Sequence, residues 1–189
     1  MAEAAGIPVQ VIIVEVTDAR VNFVRQQGYT DVSAAVCGLR YPALMFQPRL
    51  VGVIVIVGVV LRSPWIFLGL SIVLWWSALV PRWSPFDALY NALIADRRGH
   101  PRLTPAPRPR RFAQATAATV AIAIAVSLRA GRMGLAVGLE LFLLAAIAAL
   151  VFGAFCFGSF VFHVLTGNAG FATRTLPWVR GSMERAKAE

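Results

Sequence analysis

Apolar positions in this chain do not alternate with polar ones over long stretches; they run unbroken around the helical period. From Phe112 to Leu128, and again from Leu135 to Leu165, nearly every position is Ala, Val, Ile, Leu, Phe or Gly, with Glu140 the one carboxylate. A helix that is apolar on all sides has no face for water and belongs in lipid or in a large core. Leu50 to Leu61 and Pro64 to Val80 form a similar pair earlier in the chain, so the pattern predicts two helical hairpins.

Span lengths sharpen this picture, because a straight helix needs roughly 20 residues to cross the hydrocarbon. Leu50 to Leu61 is too short alone, but a helix kinked at Pro48 would extend it back through Tyr41–Phe46, leaving Arg49 to snorkel. The second span begins at Pro64 and ends at Pro81, where Trp75, Trp76 and Trp83 gather as an interfacial belt. The fourth is longer than it needs to be and is expected to tilt, or to leave the bilayer after about Gly153. The expected fold is therefore an all-α membrane protein of four spans, divided as 1–45 N-terminal segment, 46–165 membrane domain and 166–189 tail.

Between the hairpins the pattern changes. Ser84-Pro85-Phe86-Asp87 has the cap, first-turn Pro and acidic third position of a helix start, and Phe86, Leu89, Tyr90 and Leu93 then share one face. Pro85 to Ala95 reads as an amphipathic helix in the membrane interface. Arg97 to Arg111, with four prolines, reads as an extended, semi-rigid linker.

Upstream, Val9–Val16 is β-branched enough for a strand that would need a foreign edge, or it is a helix instead. Thr17 is positioned to cap a short helix through Arg25, with a second from Thr30 toward Leu39 after the break at Gly28. Nothing in the first fifty residues has the organisation of a cleaved signal peptide.

Composition agrees: 58% hydrophobic, 14% charged, mean hydropathy +0.70. The net charge of +9 is placed by topology rather than by nucleic acid, for which no role is expected. Of 18 basic residues only Arg62, Arg129 and Arg132 fall in the hairpin turns, so the termini and central loop are expected to be cytoplasmic. Arg97, Arg98, Arg102, Arg108, Arg110 and Arg111 are expected to set that topology and touch anionic headgroups.

Small residues suggest how the second hairpin closes. Ala113, Ala117, Ala121 and Ala125 recur every four residues, as do Ala145, Ala149 and Gly153, and Gly134 with Gly138 forms a Gly-x-x-x-Gly pair. Such stripes let helix backbones approach in lipid. The bulkier first hairpin is expected to face lipid or a partner.

Candidate chemistry is sparse. Cys156 near a helix end is a candidate thiol, with His163 seven residues on as its one neighbouring base; a small filler role is the simpler account. Glu140 is the candidate intramembrane charge, and an ion pair with Arg62, Arg129 or Arg132 is favoured over a proton path. His100 and Cys37 have no metal-like spacing, and no nucleotide or nucleophile motif occurs. Bound lipid is the expected companion rather than a cofactor, and His163 leaves a pigment or haem open.

Arg49-Leu50-Val51-Gly52, Pro81-Arg-Trp-Ser-Pro-Phe86, Arg111-Phe-Ala-Gln114 and Phe155-Cys-Phe-Gly158, in this order, resemble a family of uncharacterised bacterial four-helix membrane proteins, a domain of unknown function. The resemblance covers residues 46 to 165. Members usually end the second hairpin in Cys-x-Gly-Cys and resemble partners of thioredoxin-like and sulfurtransferase proteins, which implies thiol chemistry. Here Ser159 replaces the second cysteine, so only Cys156 carries over. Two functions follow: a non-catalytic accessory or scaffold subunit contacting other membrane subunits, and a cytoplasm-facing thiol relay built on Cys156. A transporter is weaker, since four helices with one shallow acid leave little to line a path.

Overall fold

A computed structural model describes residues 17–30 and 34–181, and the proposed strand Val9–Val16 lies outside them. Among the described residues the regular elements are all helical, in the order α1 (Asp18–Gln26), α2 (Ala34–Leu61), α3 (Pro64–Leu79), α4 (Pro85–Tyr90), α5 (Asp96–Arg98), α6 (Arg108–Arg129), α7 (Met133–Gly153), α8 (Phe157–Leu165) and α9 (Ala169–Arg174). Thr17 is the N-cap of α1, as its sequence suggests, although its hydroxyl makes no capping bond.

The helix expected from Thr30 toward Leu39 does not stand alone. It is the first part of α2, which continues through Pro42 and Pro48. Proline inside a helix removes one N–H bond and crowds the preceding turn, at a cost of about 3 kcal/mol that packing must offset. Here the flanking Ala43, Leu44, Met45 and Gln47 are all buried.

Three helices are long and apolar enough to cross a membrane: Val36–Leu61, Arg108–Arg129 and Met133–Gly153. The fourth apolar helix, α3, has 16 residues. At 1.5 Å per residue that is about 24 Å, somewhat less than a bilayer's hydrocarbon.

α6 begins at Arg108, four residues before the apolar run, because Pro109 falls in the first turn, where a missing N–H costs nothing. Arg108, Arg110 and Arg111 thus belong to a helix rather than to an extended linker. The long fourth run breaks at Gly153: Ala154 is left-handed (φ 50°), and Cys156 caps the separate helix α8. The amphipathic helix after Ser84 is also interrupted, since Asn91–Ala95 forms a π-turn. Phe86, Asp87 and Tyr90 of α4 turn inward and Leu89 outward, and the extra residue per turn that follows leaves Leu93 exposed as well.

α6 is the central element, packed against α3, α7 and α8, while α2 closes onto α7. Val51 and Val55 of α2, Phe67, Leu70 and Leu74 of α3, Ala118 and Ile124 of α6 and Leu143 of α7 make the membrane-level core. The close contact of α6 is with α3 rather than along an α7 stripe: Ser71 Oγ donates to the Ala118 carbonyl at 2.8 Å. Ala145 is exposed, and a Cβ built on Gly134, Gly138 or Gly153 would meet nothing within 4 Å. On α7 a bulky side chain does the packing, with Ile147 seated on Gly52. The close glycine approach occurs elsewhere, at Gly158 of α8, where a Cβ would lie 2.7 Å from Ala113 Cα.

Candidate functional site

Four segments converge where α6 begins. Arg110, in its first turn, is buried and donates through Nη2 to Asp87 Oδ1 and Gln47 Oε1, both at 2.8 Å. Its Nη1 reaches the Tyr29 hydroxyl at 3.4 Å. One turn later Gln114 Nε2 donates to the same Gln47 oxygen at 3.0 Å. Asp87 is here because Ser84 and Pro85 start α4 beneath α2, with the Asp87 N–H on Ser84 Oγ. A buried guanidinium needs a paired charge and hydrogen bonds, which Asp87, Gln47 and Tyr29 supply, while Asp87 Oδ2 has no partner among the described residues.

Arg110 is therefore withdrawn from the lipid headgroups that its sequence context suggested. The other arginines of that set divide. Arg111 Nε donates to the Ala78 carbonyl at 2.7 Å and so closes the C-terminal end of α3. Arg102 forms a two-pronged pair with Asp96, at 2.8 and 2.9 Å, and this holds the Asp96 carboxyl below its usual range. Arg97, Arg98 and Arg108 are exposed.

Cys156 lies beside this cluster and is only 4% exposed. Its backbone N–H donates to Gln26 Oε1 at 2.9 Å, and His163 Nε2 lies 3.1 Å from the Gln26 carbonyl. Gln26 thus joins the thiol residue to the one histidine nearby, a link invisible in the spacing because α1 supplies it. Ser159 is wholly buried and its hydroxyl has no partner among the described residues. Cys37 enters the same apolar cluster as Cys156, with Phe23, Leu44 and Met45.

Glu140 is buried in α7, and its Oε1 has no hydrogen-bond partner among the described residues. Of the three expected partners, Arg129 stacks its guanidinium on Trp65 at 5.0 Å instead, whereas Arg62 is the cation whose charge reaches Glu140. His100 stays apart from both sites, and among the described residues no three His, Cys, Asp or Glu gather as a metal site.

Two adjoining cavities of about 100 Å³ each flank Cys156. The first has Gln47, Arg110 and Gln114 at its polar end and Val51, Leu74 and Leu150 along its apolar side. The second runs between α6 and α7 past Val120, Ala146 and Phe142. Gln47, Gln114 and Asp87 are the residues that sequence reading passed over. Their signal was faint: two amides inside apolar helices and one acid in a helix-start motif.

Apolar helices of spanning length around a buried polar cluster are the features of a helical membrane protein. The chain belongs to the family described as Domain of unknown function (DUF4395), whose model matches residues 42–166. No curated protein and no solved structure matches the chain. Gln47, Asp87, Arg110, Gln114 and Cys156 all fall inside the family region, whereas Gln26 and Tyr29 precede it.

Proposed function

We propose that this protein crosses a bacterial inner membrane four times, with both termini and the basic linker cytoplasmic, as a non-catalytic accessory or scaffold subunit of a larger membrane complex. The observation that carries this reading is the internal use of polar chemistry. Arg110, Asp87, Gln47, Gln114 and Cys156 are all buried and tie α1, α2, α4, α6 and α8 into one body. Four spans require the short α3 to cross, and local thinning of the bilayer around its Trp75, Trp76 and Trp83 end would accommodate it. The basic residues, concentrated outside the hairpin turns, supply the orientation.

A second reading keeps Cys156 as a thiol relay to a soluble partner. It draws on the position of Cys156 as N-cap of α8, tied through Gln26 to His163, the one histidine nearby.

Two experiments test these readings. In cells, Ser63→Cys is expected to react with an impermeant maleimide from outside and Thr104→Cys only after permeabilisation; the reverse pattern refutes the orientation. In a mild-detergent preparation, a partner subunit is expected at fixed stoichiometry and to survive Cys156→Ser. Loss of the cellular role in that variant, with the complex intact, would replace the scaffold by the thiol relay.

A further inference from the structure

Gln114 has an amide whose orientation is set by its neighbours. Gln47 Oε1 receives the Arg110 guanidinium, which can only donate, so that atom is an acceptor; Gln114 must then offer its Nε2 to it. The other end of the amide, Gln114 Oε1, is buried in a residue 5% exposed and has no partner among the described residues. A buried acceptor without a donor is costly, and Gln114 lines the first cavity.

The space beside it has the form of an amphiphile. Both cavities share Ala113, Ala117, Ile147, Leu150 and Cys156, so they make one path from the polar cluster to the seam of α6 and α7. Each holds several times the volume one water needs. Ala113 and Ala117 of α6, small side chains lining both cavities, leave the room that a hydrocarbon chain would fill. Exposed Phe142 and Phe157, edge to face at 6.1 Å, stand at the rim toward lipid.

We propose that this path binds one uncharged amphiphile whose head carries a hydroxyl: the hydroxyl donates to Gln114 Oε1, and the chain lies between α6 and α7. The head is uncharged because Asp87 already neutralises Arg110 at 2.8 Å, which leaves no free cation there for an anionic head. Two sources supply this chemistry, a long-chain alcohol and a reduced quinol. The inference rests on the membrane placement of α6 and α7 but not on the scaffold role, and the labelling experiment tests that placement separately.

The test uses the full chain in nanodiscs of zwitterionic lipid. 1-Dodecanol is titrated against its methyl ether and a short-tailed quinol against its di-O-methyl ether, with protection of Cys156 from N-ethylmaleimide read by peptide mass spectrometry. At least one hydroxyl compound is expected to bind about tenfold more tightly than its ether, the ordinary worth of one buried hydrogen bond. Gln114→Leu should remove that preference, and Ala117→Phe should abolish protection while Ala145→Phe, on the exposed face of α7, leaves it intact. Whichever compound shows the preference identifies the source. Equal affinity for hydroxyl and ether in the unaltered protein, as a water-filled cavity would give, overturns the proposal, and so does failure of both compounds to protect. Should Ala117→Phe not fold, the loss of preference in Gln114→Leu decides; a preference retained there overturns it equally.

Discussion

Arg110 and Asp87 meet at 2.8 Å with side chains 6% and 9% exposed, although 23 positions separate them and the Pro-rich linker lies between. This pair joins the start of the second hairpin to the helix that follows the first. The linker is therefore anchored at both ends.

Asp87→Asn is expected to destabilise the protein by about 3 to 5 kcal/mol, the usual cost of leaving one buried charge without its partner. The double variant Asp87→Leu with Arg110→Met should recover much of that loss, because neither charge then remains to be solvated. Thermal unfolding in detergent, followed by helical signal, compares the three. A double variant as unstable as the single one would mean that the pair contributes more than charge balance.

Glycines on α7 and α8 should behave oppositely. Gly158→Ala places a Cβ 2.7 Å from the Ala113 backbone and should cost about 1 to 3 kcal/mol as α8 lifts from α6. Gly134→Ala and Gly138→Ala meet nothing and should gain about 0.5 to 1 kcal/mol each from helix propensity. Equal effects at the three sites in a detergent melt would remove the α6–α8 contact from the account.

Ser71→Ala tests the joint between hairpins. It deletes the 2.8 Å bond to the Ala118 carbonyl and should cost about 1 kcal/mol, whereas Ser63→Ala, at the exposed end where the Ser63 side chain makes no capping bond, should cost less. The difference between the two melting midpoints is the measurement.

The Asp96 to Arg102 pair gives the loop a pH dependence. Its carboxyl is held down mainly by the hydrogen bond from Arg102. A depressed carboxyl stabilises above its unfolded value, about 4, and that contribution is lost as pH falls through the lower folded value. Asp96→Asn should reproduce the acid state at neutral pH. Trypsin is then expected to cut after Arg102 faster than in the unaltered chain, and an unchanged rate would show that the pair does not hold the loop.

What the sequence determined by itself was the apolar helices and their punctuation. Pro64, Pro81, Ser84 and Gly153 mark real boundaries because a proline, a cap or a flexible residue acts on the backbone within one turn. Helices apolar all round are equally local facts, and they carry the membrane reading. Tertiary structure decided which sides meet. The alanines on α6 announce only that a close approach is possible; Ser71 and Phe67 on α3, and Gly158 on α8, select the partners. Arg110 reads as one of six similar arginines until the start of α4 and a continuous α2 bring Asp87 and Gln47 to it. Burial, which turns a surface charge into a structural one, is a property of elements far apart in the chain, and no local pattern encodes it.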